Sequence, residues 1–269
     1  MKQPILTLIC AALISVSAVA QSDLDNLIKG STEDANYLVK GYITPALNTV
    51  GYGLNQGWYN TAKPHKVLGF DLTITAAAIS IPSADLSYRV ENSKLSTIDL
   101  VTPTPTGGGA NVPTIFGSDV APTYRFRAGG STFQGAPGLN LDIPVAGTAV
   151  PIPMVQLGIG LPKGTDVKLR FFPNTGLGAG GRDGSIDFLW RLGVQHHWSD
   201  LNVKGTFDLD GNSATTVDRK DNPISISNST SSASFTAGLR LKLAIFTFHG
   251  DYTFQKYNAL TLGFGFNVR

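Results

Sequence analysis

Hydrophobic residues recur along this chain in two rhythms, and the change from one to the other divides it. Between residues 22 and 57, Ala35, Leu38, Val39, Tyr42 and Ile43 follow the three-and-four spacing of one helical face. Ser31-Thr32-Glu33-Asp34 opens that stretch as a capped helix start. Gly41 weakens the pattern, and Thr44-Pro45 restarts it as a new cap and first-turn proline before Leu47, Val50 and Leu54. The spacing predicts a pair of short helices that pack on the main domain, as a cap or a plug.

From residue 66 the period becomes two. Leu68, Phe70, Leu72, Ile74, Ala76 and Ala78 fall on one side, with Asp71, Thr73 and Thr75 on the other. Residues 151–173 predict a hairpin: Val155, Leu157, Ile159 and Leu161 run into the turn Pro162-Lys163-Gly164-Thr165. The chain returns through Val167, Leu169 and Phe171, with Lys168 and Arg170 opposite. Residues 185–198 set Ile186, Phe188, Trp190, Leu192 and Val194 against Asp187, Arg191, Gln195 and His197. Three more strands follow near the C-terminus, at 235–243, 244–254 and 260–268. Their apolar sides carry no charge, and their other sides are mostly Gly, Thr, Asn and Ser with a few ions, namely Arg240, Lys242, His249 and Asp251. A soluble sandwich normally carries more charge on its wet face. On a lipid-facing wall, a lysine or arginine near the midplane costs roughly 2–4 kcal/mol, so an uncharged face is expected there.

The punctuation between strands agrees. Short turns are expected near 162–165, 199–200 and 243–244, and longer polar or Gly-rich links at 174–184 and 209–231. With further strands near 86–92, 120–128 and 201–208, the pattern predicts an all-β fold. It is an antiparallel transmembrane β-barrel of about ten strands (range eight to twelve) preceded by a short helical N-terminal segment. Residues 99–118, with Pro103, Pro105, Gly107-Gly108-Gly109 and Pro113, are expected to be a loop, folded into the lumen or outside it.

Composition sharpens this picture. Only 15% of residues are charged, against roughly 25% in a soluble domain. A net charge of +2 gives no footing for nucleic acid. Residues 1–20 have the form of a cleaved signal peptide: Lys2, an apolar run from Ile5 to Val16, then Ala18-Val19-Ala20. The single cysteine, Cys10, lies within it, so disulfides and thiolate metal sites are not expected in the mature chain. The expected organisation is therefore a signal peptide at 1–20, a helical cap or plug at 21–65 and a barrel domain at 66–269.

Chemical motifs are sparse. His196 and His197 are adjacent in one strand and point to opposite faces. His249 and Asp251 share a polar side, where a satisfied hydrogen-bond network is the expected role, and His65 is expected at an interface. Asp208-Leu209-Asp210-Gly211-Asn212 opens like a calcium loop, but Ser213 stands where glycine is needed and no glutamate follows in the twelfth place. Gly107-Gly108-Gly109 lacks the Lys-Ser/Thr of a phosphate cradle. No nucleophile, base and oxyanion set assembles, so no enzymatic activity, metal or cofactor is expected.

Several segments carry a resemblance. Asn55-Gln56-Gly57-Trp58-Tyr59-Asn60-Thr61-Ala62-Lys63-Pro64-His65 is the most specific, followed by Gly69-Phe70-Asp71-Leu72-Thr73. The others are Pro113-Thr114-Ile115-Phe116-Gly117 and Gly158-Ile159-Gly160-Leu161-Pro162-Lys163-Gly164-Thr165-Asp166. In these the chain resembles an uncharacterised family of exported Gram-negative proteins with barrel character, which implies an outer-membrane location and assigns no functional residue. A helical leader before a barrel also resembles, in architecture alone, the long-chain fatty-acid transporters. The chain departs from the usual terminal aromatic of such barrels, ending Phe266-Asn267-Val268-Arg269.

The expectation is a barrel in the cell outer membrane, partnered by outer-membrane lipid, that is structural or passes a small or hydrophobic solute. Asp187, Arg191, Gln195, Arg240, Lys242, His249 and Asp251 would line its lumen. The alternative is a soluble exported β-protein that binds an apolar ligand or a partner.

Overall fold

Ser31 caps a helix: its hydroxyl accepts from the Asp34 amide at 3.1 Å, and Glu33 and Asp34 place negative charge at the positive end of the helix dipole. In the computed structural model this helix, α1, runs unbroken over Thr32–Leu54, so the expected pair of helices is one. Pro45 lies inside it and removes one amide from the ladder. The apolar stripe keeps its phase across the proline: Ala35, Leu38, Val39, Tyr42, Ile43, Ala46 and Tyr52 are all buried. Packing of that continuous stripe outweighs the lost bond, and the Tyr42 carbonyl accepts from the Ile115 amide at 3.1 Å.

The structure describes residues 27–58, 65–141, 147–171, 195–203, 206–208, 219–221 and 224–268, with side chains left undescribed between 195 and 225. The expected signal peptide, residues 185–194 of the expected strand 185–198, the link at 174–184 and residues 209–218 of the second link lie outside them. The described strands are β1 (Phe70–Ser80), β2 (Ser87–Glu91), β3 (Ile98–Thr102), β4 (Gly109–Pro113), β5 (Thr123–Phe126) and β6 (Thr132–Gln134). They continue with β7 (Ala149–Leu161), β8 (Thr165–Phe171), β9 (Gln195–Val203), β10 (Thr206–Asp208), β11 (Arg219–Asp221) and β12 (Ile224–Ser232). The last three are β13 (Phe235–Leu243), β14 (Phe246–Phe254) and β15 (Ala259–Val268). The chain is mostly β, and every recorded strand pairing is antiparallel.

The largest sheet has six strands in the order β13-β14-β15-β1-β7-β8. Its first and last sequence segments meet, with Phe70 of β1 opposite Val268 of β15. Two further two-stranded sheets pair β9 with β12, Val203 opposite Ile224, and β10 with β11, Thr206 opposite Asp221. No turn interrupts β9 at 199–200, and part of the expected 209–231 link is strand.

Between β1 and β7 the chain builds a separate module that the sequence pattern did not reveal. Residues 86–92 and 120–128 hold strands, β2 and β5, but these pair with β4 and with β3 and β6, outside the six-stranded sheet. The expected loop at 99–118 is strand over much of its length. Val90, Ile98, Leu100, Val112, Ile115 and Tyr124 are buried in one continuous core with the apolar stripe of α1 and with Ile79, Ile152 and Met154 of the large sheet, and that burial holds β3 and β4 in place. Gly107 and Gly108, with φ of 61° and 82°, make the turn between them, a conformation favouring glycine.

Candidate functional site: the polar face and its strap

The two faces of the six-stranded sheet are inverted relative to a water-soluble fold. Along β1, exposure strictly alternates, with Phe70, Leu72 and Ile74 exposed and Asp71, Thr73 and Thr75 buried. In β14, Phe246, Phe248 and Phe254 are exposed while Thr247, His249 and Thr253 are buried. On β15, Leu260, Leu262 and Phe264 are exposed, with Leu262 at 59%, against buried Thr261 and Asn267. The register aligns these positions into apolar rows across all six strands, for example Leu241, Phe248, Phe264, Ile74, Val155 and Phe171. None of the exposed outer rows contains a charged residue. The isolated hydrophobes of an ordinary surface do not form such a field.

The polar face is covered in part by the end of α1. Gly53 packs so closely that a Cβ there would meet Ile152 Cδ1 at 2.2 Å, and one at Gly57 would meet Thr75 Cγ2 at 2.8 Å. The strap 53–58 thus follows the buried side of β1 and β7 from the Ile79 end toward the middle. Arg170 on β8 donates from Nη1 to the carbonyls of Leu54 (2.8 Å) and Gln56 (2.6 Å). Its guanidinium also stacks on Trp58, with Cζ 4.0 Å from the ring centre. The Trp58 carbonyl accepts from Lys168 Nζ at 3.1 Å and from Gln156 Nε2 at 3.3 Å. The last turn of α1 has no basic residue of its own, so β8 supplies the positive charge that its carbonyl end attracts.

At the opposite end of the polar face, His65 is buried among three strands. Its Nδ1 lies 3.1 Å from Asp166 Oδ2, and its amide donates to Asp166 Oδ1 at 3.0 Å. Nε2 lies 3.3 Å from Asp71 Oδ1 and 2.8 Å from the Asn267 amide nitrogen. The expected interface role of His65 takes this form: a basic ring clamped between β1, β8 and β15.

Arg240, Lys242, His249 and Asp251 all occupy polar-face positions of β13 and β14, and the register brings His249 opposite Arg240. Asp187 and Arg191 lie outside the described residues, and Gln195 is described through its backbone pairing with Ser232. The expected hydrogen-bond network at His249 is absent, since both ring nitrogens are buried without a partner. The reason is local: Asp251 lies two residues along the same strand, opposite Gly238 and Thr261 rather than beside the ring. Strand alternation had marked Lys168 and Arg170 as polar-side residues, but their engagement of α1 depends on a contact 110 or more residues away in sequence. Among the described residues no group of three or more His, Cys, Asp or Glu could hold a metal ion. No helix of the described residues is long and apolar enough to cross a membrane, which does not bear on crossing by strands.

This geometry defines a class: an antiparallel β-protein with an apolar outer sheet face and a helix-led strap on its polar face. The chain belongs to a family of unknown function, DUF6588, whose model matches residues 1–186 and 184–268. No curated protein matches it.

Proposed function

We propose that the chain is an outer-membrane β-barrel protein, exported by its N-terminal signal and plugged by the strap. Its role is structural or the passage of a small solute. The observation that carries this reading is the inverted alternation along β1, β7, β14 and β15, with Phe, Leu, Ile and Val outward and Asp, Thr, Gln and His inward. In water such a face is unfavourable at roughly 25 cal/mol per Å² of apolar surface, whereas in lipid it is the stable arrangement. Four of the six strands, β1, β13, β14 and β15, have 11, 9, 9 and 10 residues, within the about 9–11 that a tilted strand needs to cross a bilayer, while β7 and β8 have 13 and 7. The pairing of β1 with β15, which joins the first and last strands of the sheet, fits a wall of this kind. Residues 53–58 and His65 on the polar face support a narrow, filled interior rather than a wide aqueous channel.

The test is fractionation of cells followed by gel mobility of the mature protein with and without boiling. Recovery in the outer-membrane fraction with a heat-dependent shift is the expected result. Recovery in the soluble fraction with no shift would overturn the reading and favour the soluble apolar-ligand binder.

A further inference from the structure

We propose that His65 is a pH-sensitive latch: with two protons on its ring it pins the entry into β1 against β8 and β15, and with one proton it loosens that entry. This inference rests on the buried contacts of the ring and not on what covers the apolar face. His65 is 4% exposed, and each ring nitrogen faces a carboxylate. Nδ1 lies 3.1 Å from Asp166 Oδ2, while the other oxygen of that carboxylate already accepts from the His65 amide. Nε2 lies 3.3 Å from Asp71 Oδ1 and 2.8 Å from Asn267 Nδ2. The Oδ1 atoms of Asp71 and Asn267 are both buried acceptors without a hydrogen-bond partner.

The two proton counts give two different junctions. An ionised carboxylate only accepts, so the proton that joins Nδ1 to Asp166 belongs to the ring. With that proton alone, Nε2 is an acceptor that the Asn267 amide can meet, and Asp71 Oδ1 is left beside a lone pair. With a second proton, Nε2–H donates toward Asp71 Oδ1, and a half-turn of the Asn267 amide offers its oxygen to the same N–H. Both unmet acceptors then face one donor, and the contact with Asp71 is charge-assisted. Histidine is the side chain whose charge changes near neutral pH. Of the other groups around the ring, Lys168 on β8 acts on both carboxylates while it holds the Trp58 carbonyl. Gly160 on β7 packs against His65 and brings no charge, and Lys66, next in the chain, is exposed. The attraction is thus present while the ring holds two protons and is lost as the pH rises.

The test uses full-length mature protein in detergent micelles, with its histidines labelled with nitrogen-15, between about pH 5.5 and 8.5. The ring signals report the protons on His65, and His65→Gln identifies which signal is its own. Trypsin cleavage after Lys66 reports the latch, each rate being divided by that of a synthetic peptide of residues 60–70 at the same pH. Wild-type cleavage is expected to rise about tenfold as the ring gives up its second proton, since a charge-assisted bond to a buried carboxylate is lost. In His65→Gln the relative rate should stay flat over the same range. In Asp71→Asn the rise should shrink, because an amide at that position can donate to Nε2 once the ring has lost its second proton. A wild-type rate that does not follow the ring signal, or Asp71→Asn keeping the full rise, would overturn the latch. Those two results decide the matter even where His65→Gln does not fold.

Discussion

Arg170 shows how one side chain can join two distant elements. It caps the carbonyl end of α1, stacks on Trp58 and binds the Gln156 side-chain oxygen at 2.7 Å, all from one strand position. Replacing it with Gln should lower stability by about 2 kcal/mol, since its charged hydrogen bonds to the Leu54 and Gln56 carbonyls are lost. Arg170→Lys should recover only part, because an ammonium lacks the planar fork, and denaturant midpoints would rank the three proteins. Asp34 plays a comparable part at the other end of α1, accepting from the Ser96 and Thr97 amides at 2.6 and 2.9 Å. Burial alone would raise its carboxyl, but the Thr97 hydroxyl and the amides of Ser96 and Thr97, with the Ser31 backbone, outweigh that and hold it below the ordinary value of 3.8. A carboxyl lowered on folding stabilises fully above its unfolded value, and that contribution fades as pH falls through the folded one. Unfolding of the wild type should therefore become easier below about pH 4, while Asp34→Asn should be less stable at pH 7 and lose less on acidification. Equal acid slopes in the two proteins would contradict this assignment.

At the scale of elements, the strap's exit depends on close backbone contact. Gly160 of β7 exchanges hydrogen bonds with Leu68 and Gly69, and a Cβ there would stand 2.2 Å from the Lys66 carbonyl oxygen and 2.7 Å from His65 Cβ. Backbone cannot yield as a flexible side chain can, so Gly160→Ala should cost on the order of 1–3 kcal/mol. It should also raise proteolysis near His65, measured by limited digestion; an unchanged digestion pattern would mean that the clamp tolerates displacement. Much of the strand content was legible, because Phe70 to Ala76 alternate apolar with polar and Phe246 to Phe254 do so with Gly250 as the one exception. The continuity of α1 through Pro45 was not, because a Thr-Pro step looks locally like a helix start. Only burial of the stripe from Ala35 to Tyr52 decides otherwise. The inserted strands β3 and β4 were hidden for a related reason: the prolines and glycines around them carry a loop signature, and their partners β5 and β2 lie elsewhere in the chain.

For the molecule as a whole, the environment of the outer face governs its stability. Leu262 stands in the middle of the wall, in the row of Leu239, Gly250 and Ala76. If lipid covers it, Leu262→Arg should cost roughly 2–4 kcal/mol and sharply lower the yield of heat-shifted protein. On a wet surface the same exchange would stay within about 0.5 kcal/mol and leave the yield unchanged. That one substitution distinguishes a membrane wall from a soluble sheet.

The sequence by itself determined the alternation, the placement of polar side chains on one face and the absence of charge on the other. Side-chain direction in a strand follows from local geometry with a period of two, so these need no knowledge of partners. It also marked Arg240, Lys242, His249 and Asp251 as a polar set. Only the tertiary structure decided that α1 ends on that face, that Arg170 and Lys168 hold the strap, and that His65 joins β1, β8 and β15. It also decided that the His249 ring nitrogens are buried without a partner, opposite Arg240. Those outcomes depend on sheet order and register, which join residues far apart in sequence and leave no periodic trace in the chain.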